Sequence, residues 1–383
     1  MEKSRKILAM ITHGISEFDV LFPLFTQLRK YGFQEDINVI VTVKKIYRSY
    51  QAQEFYQRIA KETGVEVTFC QMSNKFDVPK AYWTKNRYGY WLARRILTVI
   101  GLHRRIRLWR QIKDAEILMH EVTNQWASTR LLYSAFDRSG KVLISYYHGP
   151  GIVSTARVGG RIKRASDIIH LSFHQHNLQH LNENGFRNIV HIGYPQFYDE
   201  WQRIVQEVYG QPKDIATHVL IMSRRPDEQY LTHKDYEYLL VSAVDAVRHV
   251  YEDINIVIKR HPRETDGDLE RLLSGKSIVV SDEPIAKLLV TTSVAINIFG
   301  SAILWPLGLG IPAVEFFIES KRFLELETSG SPYRNVGIDS VSTKEGLIEF
   351  LTQVKKGEYR LPVIIQELEE FDGLKELRKL LMP

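Results

Sequence analysis

The chain has 383 residues, 44% hydrophobic and 25% charged, which exceeds one ordinary core, favours two domains and excludes a disordered chain. Its net charge of +6 suits anionic ligands without choosing among nucleotide phosphates, acidic glycans, lipid surfaces and nucleic acid. The single cysteine, Cys70, excludes an intrachain disulfide and fits a reducing cytoplasm.

In chain order, the apolar run at 7–11 is too short for a secretory signal. It reads as a strand, followed by a turn at His13-Gly14 and a helix over 18–31 with apolar residues at helical spacing. Further strands are expected at 38–43, 65–69, 115–120, 142–147, 167–172 and 189–192, with helices between them that include 51–63 and 126–136. The stretch 82–112 breaks the alternation with interleaved Arg, Trp and Tyr residues. It reads either as a packed helix pair with a basic outer face or as a peripheral contact with an anionic membrane surface. Nucleic acid is the less favoured partner for it.

A second alternation follows a polar stretch near 210–214. Strands are expected at 218–222, 255–259, 277–280, 293–298 and 313–317, with a helix over 300–308 and an amphipathic helical tail at 344–355 and 364–381. No segment reaches the roughly 18–20 apolar residues of a membrane span. The expected class is α/β, with two Rossmann-like doubly wound domains facing across a cleft, divided into 1–205 and 206–383. The expected location is cytoplasmic, with peripheral attachment to the inner membrane face resting on 82–112.

Ligands of open parallel sheets lie beyond the carboxyl ends of the strands. Three such positions in the second half carry candidate phosphate groups: Ser223-Arg224, Lys259-Arg260-His261-Pro262, and Gly300-Ser301 at the start of a helix. Each could equally be an ordinary basic or tight turn. In the first half, His13 and Gly14 follow the first strand, Glu17 and Asp19 open its helix, Glu121 follows the fourth strand, and His148, Gly149 and Gly151 follow the fifth. A carboxylate or imidazole among these could take the proton of an acceptor hydroxyl, and Glu17 and His148 are the choices carried forward. Acids in a first turn also simply complement the helix dipole.

Metal sites are not expected. His176 and His180 have i, i+4 spacing, but such pairs more often form a polar helix face. Walker-type and Gly-x-Gly-x-x-Gly loops are absent, which argues against NTPase and dehydrogenase chemistry.

Four stretches together resemble a known group: YYHGPG at 146–151, IVHIGYP at 189–195, VIKRHP at 257–262 and FGSAILWPLGLGIPAVEF at 299–316. The pattern is similar to the two-domain glycosyltransferase B enzymes. In particular it resembles bacterial surface-polysaccharide enzymes: CDP-glycerol glycerophosphotransferases, capsular sialyl- and Kdo-transferases and, more distantly, UDP-GlcNAc 2-epimerases. The resemblance implies that His261 and Pro262 contact the donor nucleotide or its phosphate, that Gly300 and Ser301 cradle phosphate, and that Ser223 and Arg224 line the donor pocket. It also places acceptor binding in the N-terminal part. Many relatives carry a ribose-binding glutamate one helical turn after the serine. Here that position is Trp305, so ribose recognition falls to Glu315 or another group.

The expected activity is transfer of a sugar, from a CMP-linked or other nucleotide-activated donor, to a hydroxyl of a surface polysaccharide or glycolipid. No cofactor or metal is expected, because cations and a helix N-terminus can offset the leaving phosphate's charge. The alternatives are a CDP-alditol polyol-phosphate transferase, a UDP-sugar 2-epimerase and a non-catalytic membrane-associated scaffold.

Overall fold

The computed structural model describes residues 6–12, 14–70, 108–110, 112–121, 140–147, 168–173, 181–182, 186–210, 217–226, 231–261, 264, 267–320, 323–324, 330–335, 337–362 and 373–381. His13, His148, Gly149, Gly151 and Pro262 lie outside the described residues. So do the expected helix at 126–136, His176 and His180, and all but four residues of 82–112.

The first sheet has seven parallel strands: β1 Ile7–Ile11, β2 Ile37–Val41, β3 Val65–Phe69, β4 Ile117–Glu121, β5 Val142–Tyr146, β6 Ile169–Ser172 and β7 Asn188–His191, in the order β3-β2-β1-β4-β5-β6-β7. Every residue of β1 is buried, as a central strand covered on both faces requires. Helices α1 Phe18–Lys30, α2 Lys44–Gln51 and α3 Glu54–Glu62 connect its first strands, and α4 Asp199–Tyr209 follows β7.

The second sheet has six parallel strands: β8 His218–Met222, β9 Asn255–Lys259, β10 Val279–Ser281, β11 Thr292–Ile298, β12 Ala313–Phe316 and β13 Ser340–Val341, in the order β10-β9-β8-β11-β12-β13. Among its helices are α5 His233–Val250, α6 Asp268–Leu272, α7 Ile285–Leu289, α8 Leu304–Gly308, α9 Pro332–Asn335 and α10 Lys344–Lys355. Thr232 caps α5 by accepting the Asp235 N–H, while the Asp235 carboxylate receives the Thr232 N–H at 3.2 Å. This reciprocal pairing fixes the helix start. Leu239, Leu240, Ala243 and Val247 then bury one face of α5 in a core that includes Leu347, Phe350 and Leu351 of α10.

Both sheets reverse direction beside their first strand, β1 against β4 and β8 against β11. Two doubly wound α/β domains result, and ligands of such sheets bind as a rule at the switch point. The stretch expected as one helix at 300–308 is a 3-10 turn, Ser301–Ile303, leading into α8. The last helix, α11 Gly373–Leu381, was grouped by sequence with 206–383, yet it contacts β7 of the first sheet. Its Leu374, Leu377 and Leu381 join the core that holds β1, because their helical spacing makes one apolar stripe that needs a partner.

The two domains meet through aromatic side chains. The Trp305 ring on α8 lies 5.9 Å from that of Trp201 on α4 and 6.4 Å from that of Phe55 on α3. Gly308 lets α8 approach the turn Pro195–Phe197, since a Cβ there would lie 2.8 Å from the Gln196 carbonyl oxygen. Among the described residues, no helix is long and apolar enough to cross a membrane.

Candidate active site at the carboxyl ends of the two sheets

Register brings the three second-domain segments to one sheet edge. Met222 pairs with Lys259 and with Asn297, so the residues after β8, β9 and β11 emerge side by side. Ser223-Arg224, Arg260-His261 and Phe299-Gly300-Ser301 are therefore neighbours, although they are scattered in sequence.

Their side chains divide the work differently from the sequence expectation. Arg260 is buried, and its guanidinium pairs with Glu270 and, at 3.6 Å, with Asp282. Lys259 donates to the Asp282 carbonyl at 3.1 Å, and burial lowers its pKa. Both cations are thus engaged by the protein's own acceptors, which corrects the picture of a free basic cluster. Ser223 is likewise engaged, since its hydroxyl donates to Glu264. His261 remains partly exposed, with its backbone N–H directed to Glu264 Oε2 at 2.6 Å and to Ser223 Oγ at 3.0 Å.

Beside it, the turn after β11 is clamped. Phe299 has φ 37°, a left-handed conformation that is strained for a bulky side chain. Arg224 holds it in two ways: Nη1 donates to the Phe299 carbonyl, and the guanidinium lies 4.7 Å above the Phe299 ring. Asn297 Nδ2 donates to the Gly300 carbonyl at 2.6 Å. With these two carbonyls pinned, Gly300 and Ser301 sit partly exposed at the edge.

Glu315 is not at that edge. It is 0% exposed on β12, accepts from Ser331 and from Ser340 at 2.6 Å, and burial pushes its pKa up to about 7. A carboxyl enclosed in this way offers no face to a ribose, which corrects that expectation.

On the first domain, Glu17 is also 0% exposed. Its carboxylate accepts the N–H of Thr12 at 2.8 Å, the N–H of Gly14 at 3.3 Å and the Tyr146 hydroxyl at 3.2 Å. This carboxylate frames the loop after β1. Glu121, expected just after its strand, is the last residue of β4, opposite Tyr146 in register and fully buried. Gly14 is partly exposed.

Sequence reasoning gave Asp19 no more than a share among the acids of the first turn. It is partly exposed at the start of α1, beyond the carboxyl end of β1. Its carboxylate accepts from the Tyr56 hydroxyl, and the Trp305 indole of the opposite domain favours its charged form. Desolvation by the surrounding rings raises its pKa to about 7. A carboxylate two residues from Glu17 carries no sequence signal of its own, and its partial exposure and its Tyr56 and Trp305 neighbours single it out. Trp305, in turn, faces the domain interface and not a ribose.

Solved structures share this two-domain arrangement. A UDP-GlcNAc 2-epimerase from Neisseria meningitidis bound to UDP-GlcNAc is 10% identical, with a TM-score of 0.58 over 98% of this chain and 99% of that one. A glycosyltransferase from Rickettsia africae is 13% identical, with a TM-score of 0.53 over 100% and 99%. The wall teichoic acid polymerase TagF, in a structure with CDPG, is 11% identical, with a TM-score of 0.51 over 99% and 88%. The chain has the glycosyltransferase B fold. No protein-family model matches the sequence, and no curated protein matches it. In the terms of this fold, the clamped turn at Phe299–Ser301 and the loop at His261 belong to the C-terminal domain, and Asp19 belongs to the N-terminal one.

Proposed function

We propose that the chain is a glycosyltransferase that moves a sugar from a CMP-linked or other nucleotide-activated donor to a hydroxyl of a surface polysaccharide or glycolipid. The observation that carries the reading is the Asp19–Trp305 contact. Trp305 stands four residues after Ser301 in the sequence. A proton acceptor and a phosphate-binding turn then flank the same crevice.

In this reading Asp19 takes the proton of the acceptor hydroxyl as its oxygen attacks the anomeric carbon. The bond from that carbon to the nucleotide phosphate breaks. The phosphate's charge is met by His261 and by the backbone N–H groups at Gly300 and Ser301, with Arg224 holding the turn. This arrangement needs no bound metal. Asp19 replaces Glu17 as the base, because a base must reach its substrate and Glu17 is enclosed. The segment 82–112 remains the proposed contact with an anionic membrane surface.

A second reading, epimerisation of a UDP-sugar, is favoured by the likeness to the Neisseria meningitidis epimerase. One experiment separates the two. Thermal shift against CMP, CDP, UDP, GDP and ADP identifies the nucleotide, since a ligand at 100 times its Kd adds about 2.7 kcal/mol. The corresponding nucleotide sugar is then incubated with and without candidate glycan acceptors. Release of free nucleotide only with acceptor supports transfer. Isomerisation of the sugar without acceptor supports the epimerase. A chain that binds none of the five overturns both.

A further inference from the structure

The Glu264 carboxylate collects donors from three separate elements. Tyr236 on α5 donates its hydroxyl to Oε1. Ser223, just beyond β8, donates its hydroxyl to Oε2, and the backbone N–H of His261, just beyond β9, also donates to Oε2 at 2.6 Å. The Glu264 N–H closes the turn by donating to the His261 carbonyl at 2.9 Å. The Ser223 hydroxyl donates toward Glu264, with the Lys259 carbonyl as a second acceptor at 3.1 Å, and its oxygen accepts the His261 N–H at 3.0 Å. The His261 peptide is therefore held from both sides, by N–H bonds to Ser223 and Glu264 and by its carbonyl bond to the Glu264 backbone. Three of the roughly four acceptor sites of this carboxylate are therefore taken by the protein's own donors. Its effect is geometric, and charge-assisted bonds of this kind are the stronger ones.

We infer that Glu264, with Ser223 and Tyr236, is a positioning device that fixes the His261 backbone so that its imidazole is presented to the leaving phosphate of the donor. The role toward the donor rests on the function proposed above, whereas the lock itself does not. Preorganised donors matter because a group already aimed at developing charge reorganises little during reaction. A loose His261 would spend binding energy on being ordered.

The test uses the full chain with Glu264→Gln, Tyr236→Phe, His261→Ala and the double variant Glu264→Gln/His261→Ala. Glu264→Gln keeps the shape but replaces one acceptor oxygen by an NH2 that faces a donor. Hydrogen exchange over residues 255–264 reads the lock without any ligand. At least tenfold faster exchange at His261 in Glu264→Gln, with a smaller increase in Tyr236→Phe, is expected. Unchanged exchange in a folded Glu264→Gln chain overturns the lock.

Calorimetry with the nucleotide selected by thermal shift reads the positioning role. Glu264→Gln is expected to weaken binding about tenfold in the wild-type background and to add nothing in the His261→Ala background. Losses that multiply in the double variant overturn it, since Glu264 would then act independently of His261. If the wild type binds none of the five nucleotides, the donor reading and the positioning role fall together, and the exchange result still decides the lock.

Discussion

The Trp305 indole, in the C-terminal domain, meets the carboxylate of Asp19, in the N-terminal domain, and favours its charged form. Trp305 stands four residues past Ser301 in the sequence. The contact also explains why a tryptophan occupies a position from which a ribose contact was expected. Its ring joins Phe55 and Trp201 in the contact between domains.

Asp19→Asn is expected to lower the rate of donor turnover by about 10²–10⁴-fold, the usual contribution of a general base. The wild-type rate should rise with pH through about 7, where Asp19 ionises, and the variant should lose that limb. Stability should change in the opposite sense. A carboxyl whose pKa is raised in the folded state favours folding while protonated, so its contribution is full below the unfolded value and is lost as pH rises through about 7. The variant should therefore match the wild type at pH 4 and exceed it at pH 8, by about 1–2 kcal/mol after allowance for partial exposure. Urea unfolding at the two pH values, beside initial rates from pH 5.5 to 8.5, checks both. A variant that turns over donor normally would remove Asp19 from the chemistry.

The acid limb of stability should come from a polar row inside the first sheet. His120, Ser145 and His170 are register partners on β4, β5 and β6, and all are buried. Ser145 Oγ lies 2.8 Å from His170 Nδ1. Burial lowers His120 to about 4 and His170 to about 3. A depressed imidazole contributes stability that is complete above the unfolded value near 6.5 and is lost as pH falls toward the folded value. Each histidine should add about 1.4 kcal/mol per pH unit to the slope over that window. His170→Asn should reduce the slope between pH 6 and 4.5 by about one proton, measured by urea unfolding. An unchanged slope would mean that the row is already protonated in the folded chain.

The strands and the alternation were readable because buried parallel strands are short continuous apolar runs, as in β1 and β8. The segments after β8, β9 and β11 were also readable as candidate ligand positions, because ligands of open parallel sheets lie beyond the carboxyl ends of the strands. What the side chains do there was not readable. Arg260 and His261 are adjacent, yet one turns to Glu270 and the other stays partly exposed. That choice is set by acids on elements distant in sequence. Glu17 and Asp19 both sit at a helix start, and what distinguishes them is that Glu17 is enclosed by Thr12, Gly14 and Tyr146 whereas Asp19 is partly exposed. The fate of α11 was hidden for the same reason, since an amphipathic stripe does not name its partner.

The fit of the two domains should be sensitive to one methyl group. Gly308→Ala would place a Cβ 2.8 Å from the Gln196 carbonyl oxygen and 3.0 Å from the Phe197 ring. The backbone oxygen cannot swing aside as a side chain would, so α8 must shift. Overpacking of this kind costs about 1–3 kcal/mol. Because Trp305 lies on the same short helix, the shift should also loosen the Asp19 contact and reduce turnover more than the stability loss alone explains. Urea unfolding and steady-state rates on one preparation test this, and a neutral Gly308→Ala would show that the helix has room to move.

Arg224 offers the sharpest discrimination between a clamp and a simple charge. Its Nη1 donates to the carbonyl of Phe299 while its guanidinium plane covers the same residue's ring. Together these hold a backbone at φ 37°, a conformation that costs of order 1–3 kcal/mol when unsupported. Arg224→Ala should let the turn relax, pull Gly300 and Ser301 out of position and weaken nucleotide binding about tenfold, with little change in overall unfolding. Arg224→Lys separates the two roles. Lysine keeps the charge but has neither the planar face nor the fork that reaches ring and carbonyl together. If Arg224 acts as a clamp, calorimetry will find Lys nearly as poor as Ala. If Lys restores full affinity, the guanidinium is serving as a phosphate charge, and the strained turn is held by Asn297 and the packing of Phe299 against Phe323 and Tyr333.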